Sequence, residues 1–325
     1  MLLNLLAAGG GLALLMWGAD RFVMGAAASA RNLGVSPLII GLTIVGFGTS
    51  APEMLVSAVA AWQGNTGLAI GNAVGSNIAN VGLIIGITAL IVPLHVHSGI
   101  LKRELPVLLA VMALSFLLLL NGSLGRLDGM VLLAVLAVLI LWVTRLGLGN
   151  RAPDPMAKEY ANEIRADLST RAALVWVAIG LGVLLLSSRM VVWGAVGVAH
   201  TFGVSDLIIG LTVVALGTSL PELAASIVSA RKGEHDIAIG NVIGSNMFNL
   251  LAVLGLPGVI RPGPVDPAVL TRDYPVMFGL TIGLFLMAYG LRTPGRINRL
   301  EGAILVLCYC GYQTFLYCSA RGCGA

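Results

Sequence analysis

The chain has 325 residues, of which 58% are hydrophobic and only 10% are charged. Soluble domains carry about 25% charged residues, and the mean hydropathy here is +0.95. The composition therefore excludes two soluble domains and indicates a single polytopic membrane unit. The net charge of +4 does not indicate nucleic-acid binding, because the basic residues lie at the ends of apolar segments.

Apolar segments of about 18 or more residues recur along the chain, and roughly 20 helical residues cross the hydrocarbon of a bilayer. One polar stretch, residues 148–171, interrupts them and is predicted to be a linker or a short surface helix. The predicted fold is an all-α integral membrane protein with ten transmembrane helices. The spans are predicted near residues 3–28, 37–61, 68–92, 105–121, 128–147, 172–199, 207–230, 237–260, 274–291 and 301–319.

The two halves on either side of this linker repeat each other. Aligning Leu33–Gly86 with Phe202–Gly255 at a constant offset of 169 gives 28 identities in 54 positions without a gap. Each half, residues 1–147 and 172–325, is predicted to hold five spans. An odd number of spans makes the second copy enter the membrane from the opposite side, which is the inverted repeat of secondary transporters.

The distribution of Lys and Arg predicts the orientation in the membrane. With ten spans both termini lie on one side, and the loops of the other side hold thirteen Lys or Arg residues against four on the terminal side. Loops rich in Lys and Arg stay in the cytoplasm. We therefore expect residues 148–171 in the cytoplasm and both termini outside, with the chain in the cell membrane.

Two acidic residues lie deep in predicted spans, and both belong to the repeat. Glu53 is part of "GTSAPEM", and Glu222 is part of "GTSLPEL". A charge at the bilayer centre costs about 2.5–3.5 kcal/mol, and neither span contains a Lys or Arg that could neutralise it. Bound cations are the expected partners. A third acid, Asp20, lies beside Arg21 in the outer part of the first span and is interpreted as half of a local ion pair.

Oxygen-bearing residues precede each glutamate. Thr49 and Ser50 lie four and three residues before Glu53, on the same face of a helix. Pro52 has no N–H to donate and clashes with the carbonyl of Gly48, so the helix is expected to break there and free carbonyl groups. Carbonyls, hydroxyls and carboxylates are the ligands that Ca²⁺ and Na⁺ prefer. The second copy offers Ala215, Gly217, Thr218, Ser219, Pro221 and Glu222.

The following span of each half carries polar side chains along one face. Asn72, Ser76 and Asn80 recur every four residues and make a polar stripe on an apolar helix. Asn77 and Asn246 lie on an adjacent face and could instead form hydrogen bonds between helices. The second copy of the stripe consists of Asn241, Ser245 and Asn249.

The motifs "GTSAPE…GSNIAN" and "GTSLPE…GSNMFN" resemble the paired α-repeats of the calcium/cation antiporter superfamily. The sodium/calcium exchanger branch, in its compact prokaryotic form, is the nearest match. The resemblance implies a cation site between the second, third, seventh and eighth helices, and electrogenic export of Ca²⁺ in exchange for Na⁺ by alternating access. The expected partners are these two ions and the lipid bilayer, and we expect no cofactor, nucleic acid or obligate protein partner.

The resemblance also implies a set of ligands, residue by residue. The central carboxylates would be Glu53 and Glu222, which would bind Ca²⁺ together with the backbone carbonyls of Thr49 and Thr218. With Na⁺ bound, the carbonyls of Gly46 and Ala215 and the hydroxyls of Ser50, Ser76, Ser219 and Ser245 would join. The middle of the site would be completed by Asn80 and Asn249. Some exchangers of this family have aspartate at the position of Asn249, so stoichiometry and ion preference stay open here.

Three other functions remain open from the sequence alone. Proton-coupled cation exchange is the nearest, because glutamates also carry protons and no sequence feature excludes it. A cation channel needs oxygen ligands too, although channels usually build their pore from symmetric subunits. An intramembrane enzyme is disfavoured, because neither a G-x-S-x-G nor an H-E-x-x-H motif occurs and no histidine lies in the middle of a span.

Overall fold

A computed structural model describes the chain in five ranges, namely residues 1–33, 46–96, 99–149, 168–289 and 295–320. The regular structure in these ranges is helical apart from four two-residue strands, which confirms the all-α fold. The start of the predicted second span and most of the predicted linker 148–171 lie outside the described residues.

Within the described residues, six helices belong to the first half and six to the second. Those of the first half are α1 (Leu2–Asn32), α2 (Gly46–Thr49), α3 (Ala51–Trp62), α4 (Thr66–Ile91), α5 (Gly99–Leu119) and α6 (Arg126–Gly149). Those of the second half are α7 (Thr170–Phe202), α8 (Asp206–Thr218), α9 (Leu220–Arg231), α10 (His235–Ile260), α11 (Tyr274–Tyr289) and α12 (Arg299–Ala320).

Several of these helices are long and apolar enough to cross a membrane. Judged by length and composition within the described residues there are six, namely α1, α4, α7, α10, α12 and the segment Val269–Ala288, which contains most of α11. α8 and α9 form a seventh candidate, a pair bent by 41° at Ser219. Two further predicted spans, 105–121 and 128–147, coincide with α5 and α6. The total of ten spans stays a prediction.

Proline sets the helix breaks next to both glutamates. Pro52 and Pro221 are each the second residue of the helix that follows the break, α3 and α9. Because proline cannot donate a backbone hydrogen bond and its ring crowds the preceding turn, it favours a break or a kink in the helix at this point. The residues at the breaks, Ser50 and Ser219, have almost the same backbone angles, φ −83° and ψ 0° against φ −87° and ψ 5°. The same short sequence thus makes the same break twice.

Wide π turns interrupt the two helices that carry the asparagine stripes. In α4 the π turn spans Asn80–Ile85, and in α10 it spans Asn249–Val253. Both turns begin at the repeat-related asparagine, since 80 plus 169 is 249. π turns inside α-helices are frequent at functional sites. The asparagines therefore stand where the helical geometry changes in each half.

The first helices of the two halves, α1 and α7, pack against each other along their length. Gly11 lies against Val191, whereas Gly25 lies against Ala173, so the two helices run antiparallel. A Cβ atom added at Gly25 would lie only 2.6 Å from the Ala173 carbonyl oxygen. Such small residues let the helix backbones approach closely. Two helices that are equivalent by sequence thus point in opposite directions.

Further contacts tie the halves together around the centre and at the helix ends. A Cβ atom added at Gly210 of α8 would lie 2.5 Å from the Leu68 carbonyl oxygen, and one added at Gly71 of α4 would collide with the Leu207 carbonyl oxygen. Two short antiparallel ribbons join the halves as well. They are β1 (Leu94–His95) with β4 (Arg296–Ile297), and β2 (Ser123–Leu124) with β3 (Gly263–Pro264).

The crossing of α4 and α8 predicts that Gly71 tolerates no side chain. We expect Gly71→Ala to destabilise the protein by about 1–3 kcal/mol, because the added methyl group forces two packed backbones apart. Thermal unfolding of the detergent-solubilised protein measures this effect. Gly67→Ala, one turn earlier on the same helix, is the matched control, because its added Cβ would have its nearest neighbour at an ordinary 3.5 Å. Equal stability of the two variants would contradict the tight crossing.

Candidate cation site

Both sequence-predicted glutamates are buried in the centre of the molecule. The exposed fraction is 1% for Glu53 and 0% for Glu222, so neither side chain faces lipid. Glu53 lies in the first turn of α3 and Glu222 in the first turn of α9, immediately after the two breaks. The acids therefore sit near the positive ends of two helix dipoles, which favours the carboxylate form.

Serine hydroxyls contact both carboxylates, but not in a symmetric way. Ser219 of the second half donates a hydrogen bond across to Oε1 of Glu53, at 3.2 Å. Ser245 donates to Oε1 of Glu222 in its own half, also at 3.2 Å. Because Ser219 is three residues from Glu222, its bond to Glu53 brings the two carboxylates into one site.

Threonine and asparagine side chains form a second set of bonds across the halves. Thr218 donates from Oγ1 to Asn72 Oδ1 at 3.2 Å, and the repeat-related Thr49 donates from Oγ1 to Asn241 Oδ1 at the same distance. Asn72 also donates to the backbone carbonyl of Glu53 at 3.1 Å. These bonds fix the breaks of α3 and α9 against the stripes of α4 and α10.

Four asparagines form a third set of cross-half bonds. Asn80 donates from Nδ2 to Asn246 Oδ1 at 2.9 Å, and Asn249 donates from Nδ2 to Asn77 Oδ1 at 3.2 Å. The sequence allowed Asn77 and Asn246 to form hydrogen bonds between helices, and in the structure both do so. All four side chains are at most 1% exposed.

A group of buried oxygen atoms has no hydrogen-bond partner in the part of the chain that the structure describes. A polar atom buried without a partner costs about 1–3 kcal/mol, so a concentration of such atoms in one place indicates a missing ligand. One nitrogen of the same region, Nδ2 of Asn241, is also buried without a partner among the described residues. The oxygen atoms together offer two charged and several neutral ligands to a hard cation. They are Glu53 Oε2, Glu222 Oε2, Ser50 Oγ, Ser76 Oγ, Asn80 Oδ1 and Asn249 Oδ1.

The remaining predicted ligands lie at the same helix breaks. Thr49 and Thr218 are each the last residue before a break, and both are buried. The Ala215 carbonyl already accepts a bond from the Ser219 N–H at 3.1 Å. Gly46 is the first residue of α2. The role of all twelve predicted residues as ion ligands stays a prediction.

The sequence named Asn72 and Asn241 as members of a polar stripe but did not assign them to the site. In the structure, each of them accepts a hydrogen bond from the threonine hydroxyl of the opposite half. The sequence signal for these two residues was that asparagine occurs at both of the repeat-related positions, 72 and 241. Which residue each amide would bond could not be inferred, because it depends on how the two halves pack.

The fold and the candidate site together define a class: a membrane protein with two related halves whose broken helices bring buried acids together. Comparisons with known proteins agree. The family described as "Sodium/calcium exchanger protein" matches residues 3–145 and 172–318. The chain belongs to the sodium/calcium exchanger family. It is accordingly a multi-pass membrane transport protein and not an enzyme, and the substrates of this family are Na⁺ and Ca²⁺.

Individual relatives cover nearly the whole chain. CaxA of Alkalimonas amylolytica, which is named as a candidate antiporter, is 51% identical over 315 residues, 95% of this chain and 97% of its own. The sodium/calcium exchanger MaX1 of Methanosarcina acetivorans is 34% identical over 342 residues, 94% and 96% of the two chains. The structure of the sodium-calcium exchanger NCX_Mj soaked with 10 mM Na⁺ and 10 mM Sr²⁺ is 31% identical and matches with a TM-score of 0.67 over 95% of this chain and 97% of that one.

The geometry predicts that both carboxylates are needed for Ca²⁺ binding. We expect Glu53→Gln and Glu222→Gln each to weaken Ca²⁺ binding more than about a hundredfold, since removing one partner of a buried charge pair costs about 3–5 kcal/mol. Ca²⁺ titration of the purified protein, followed by its thermal stabilisation, measures the affinity.

Asp20→Asn provides the control for these two variants. Asp20 is also an acid in a span, but its side chain is 70% exposed and lies 3.7 Å from Arg21, as the sequence predicts for a local ion pair. We expect its neutralisation to leave the Ca²⁺ affinity unchanged. A glutamine variant that binds Ca²⁺ as the wild type does would remove that glutamate from the site.

Proposed function

We propose that this protein is a secondary active antiporter that exchanges Na⁺ for Ca²⁺ by alternating access and exports Ca²⁺. The observation that carries the proposal is the set of buried oxygen atoms, including those of Glu53 and Glu222, that have no partner in the part of the chain that the structure describes. Two of them belong to carboxylates, and the rest are hydroxyl and amide oxygens. The named exchangers among its relatives support the choice of ions.

Charge explains why the two ions would compete. Two carboxylates neutralise one Ca²⁺, so the calcium-loaded site is electroneutral. Three Na⁺ in the same place leave one net positive charge. The same two carboxylates do not serve both loads at once, so one load displaces the other. Exchange follows from competition for a single pair of acids.

The proposed arrangement in the membrane is ten spans in two inverted halves, residues 1–147 and 172–325. Residues 148–171 would form a cytoplasmic linker, and both termini would lie outside. The antiparallel contact of the repeat-related helices α1 and α7 supports the inversion, and the excess of Lys and Arg on the linker side supports the orientation.

The proposed exchange of three Na⁺ for one Ca²⁺ predicts that transport responds to the membrane potential. Moving one elementary charge across the membrane is worth about 2.3 kcal/mol per 100 mV. We expect ⁴⁵Ca²⁺ flux in proteoliposomes to require an opposing Na⁺ gradient and to change several-fold when a potassium diffusion potential of about 100 mV is imposed. Na⁺-driven flux that ignores the potential would contradict an exchange of three Na⁺ for one Ca²⁺.

The same preparation separates the proposed function from its nearest alternative. When choline replaces Na⁺ at constant pH, Ca²⁺ flux should stop. Flux that persists and follows an imposed pH step would show proton-coupled exchange instead. Single-molecule currents far above transporter turnover would show a channel.

Ser76 offers a way to separate the Na⁺ load from the Ca²⁺ load. Its buried hydroxyl has no protein partner among the described residues, whereas Ser245 holds a carboxylate. We expect Ser76→Ala to raise the Na⁺ concentration for half-maximal exchange about tenfold, on the scale of one lost polar interaction, and to change Ca²⁺ affinity much less. Ser245→Ala, by contrast, should weaken both ions because Glu222 loses its bond. Equal effects of Ser76→Ala on both ions would exclude Ser76 as a Na⁺ ligand.

A further inference from the structure

Two asparagines, Asn77 and Asn246, form hydrogen bonds with the two asparagines that are predicted as ligands. Each accepts a hydrogen bond from the ligand asparagine of the opposite half, Asn249 or Asn80. The arrangement obeys the repeat, since 77 plus 169 is 246 and 80 plus 169 is 249. The same kind of contact therefore occurs twice, at repeat-related positions.

The direction of these bonds decides which end of each ligand amide faces the site. An asparagine amide has an oxygen at one end and an NH₂ group at the other, and only the oxygen attracts a cation. The NH₂ groups of Asn80 and Asn249 are occupied by Asn246 and Asn77. Their oxygens are the ends that stay buried without a partner among the described residues. The acceptor oxygen of Asn246 or Asn77 therefore determines that the ligand asparagine turns its oxygen, and not its NH₂ group, towards the site.

The acceptor Asn77 is itself held in the required direction. Its Nδ2 donates to the sulphur of Met277 at 3.5 Å, and Met277 is 1% exposed. With its own NH₂ turned towards Met277, Asn77 presents its oxygen to Asn249. A chain of three side chains thus runs from α11 through α4 to the ligand oxygen on α10. The repeat-related position of Met277 is Leu108, so the sulphur acceptor exists on one side only.

We propose that Asn77 and Asn246 are positioning residues that keep the amide oxygens of Asn249 and Asn80 directed at the transported cation. The proposal rests on the proposed cation site and adds a function for residues that do not touch the ion. Without the acceptor, a ligand amide turns over at little cost and presents an NH₂ group, which repels a cation. Asn77 and Asn246 thus make two neutral side chains reliable oxygen ligands.

A carboxylate in place of the ligand amide separates this role from a structural one. Aspartate has oxygen atoms at both ends, so its orientation has no effect on what the cation meets. Loss of Asn246 should therefore matter when residue 80 is asparagine and cease to matter when it is aspartate. A residue that only maintained helix packing would cause the same loss in both backgrounds.

The experiment compares Asn246→Leu alone with Asn246→Leu in an Asn80→Asp background, using full-length purified protein. Ca²⁺-dependent thermal stabilisation in detergent gives binding, and ⁴⁵Ca²⁺ flux in proteoliposomes gives KM and the maximal rate. We expect Asn246→Leu alone to raise the half-saturating Ca²⁺ concentration about tenfold, on the scale of one lost hydrogen bond to a charged group. In the Asn80→Asp background the same change should stay within about twofold of Asn80→Asp alone.

The repeat-related pair, Asn77 and Asn249, allows the same test. Asn77→Leu, with and without Asn249→Asp, should give the same pattern, and it decides the question if Asn246→Leu gives no folded protein. Met277→Leu conserves volume and removes the sulphur acceptor, so we expect a smaller shift of the same sign. Met112→Leu, the same substitution at another buried methionine, should cause none.

Two outcomes would overturn the proposal. Either Asn246→Leu and Asn77→Leu bind Ca²⁺ as the wild type does, or each weakens binding equally in the asparagine and aspartate backgrounds. Both outcomes leave the proposed function intact, because the wild type still binds Ca²⁺. A wild-type protein without Ca²⁺-dependent stabilisation or flux would instead contradict the cation site itself.

Discussion

The burial of two carboxylates in an apolar protein, without a basic residue in the spans that carry them, is the constraint from which the other features follow. Charged groups at this depth need a counter-charge. A Lys or Arg side chain paired with Glu53 and Glu222 would neutralise their negative charge permanently. In the proposed site a transported cation supplies this counter-charge, and it offsets the lost hydration of the two carboxylates only while it is bound.

The local architecture supplies neutral oxygen atoms to the same place. Pro52 and Pro221 break two helices next to the acids, and the π turns at Asn80 and Asn249 alter the two helices opposite. Irregular backbone of this kind is tolerated at membrane depth where it lines a site within the protein. The breaks therefore belong to the site, and they explain why a proline is present in spans that otherwise resemble ordinary transmembrane helices.

The hydrogen bonds of the site follow the repeat in part and depart from it in part. The threonine and asparagine bonds between the halves occur in repeat-related pairs. The serine bonds do not, because Ser219 reaches across to Glu53 whereas Ser245 stays with Glu222. The threonine and asparagine bonds form a symmetric frame, whereas the serine bonds differ between the halves. Both features suit the proposed mechanism. Alternating access needs a constant centre and two halves that differ at any one moment.

The sequence by itself determined the membrane class, the repeat, the two acids and the breaks beside them. These depend on properties that are local: hydropathy summed over a span, proline's missing N–H, and the cost of a charge in hydrocarbon. Equivalent positions also followed from the offset of 169, so that each feature of one half predicted its partner in the other.

Only the tertiary structure decided which side chains bond across the halves and which buried oxygens have no partner among the described residues. The sequence placed Asn77 beside the stripe but could not show that Asn249 would be its donor, or that Met277 would hold its other end. Such contacts join residues about 170 to 200 positions apart, and they depend on the closeness and direction of packed helices. Local propensities carry no information about that geometry, which the glycine contacts between the halves set.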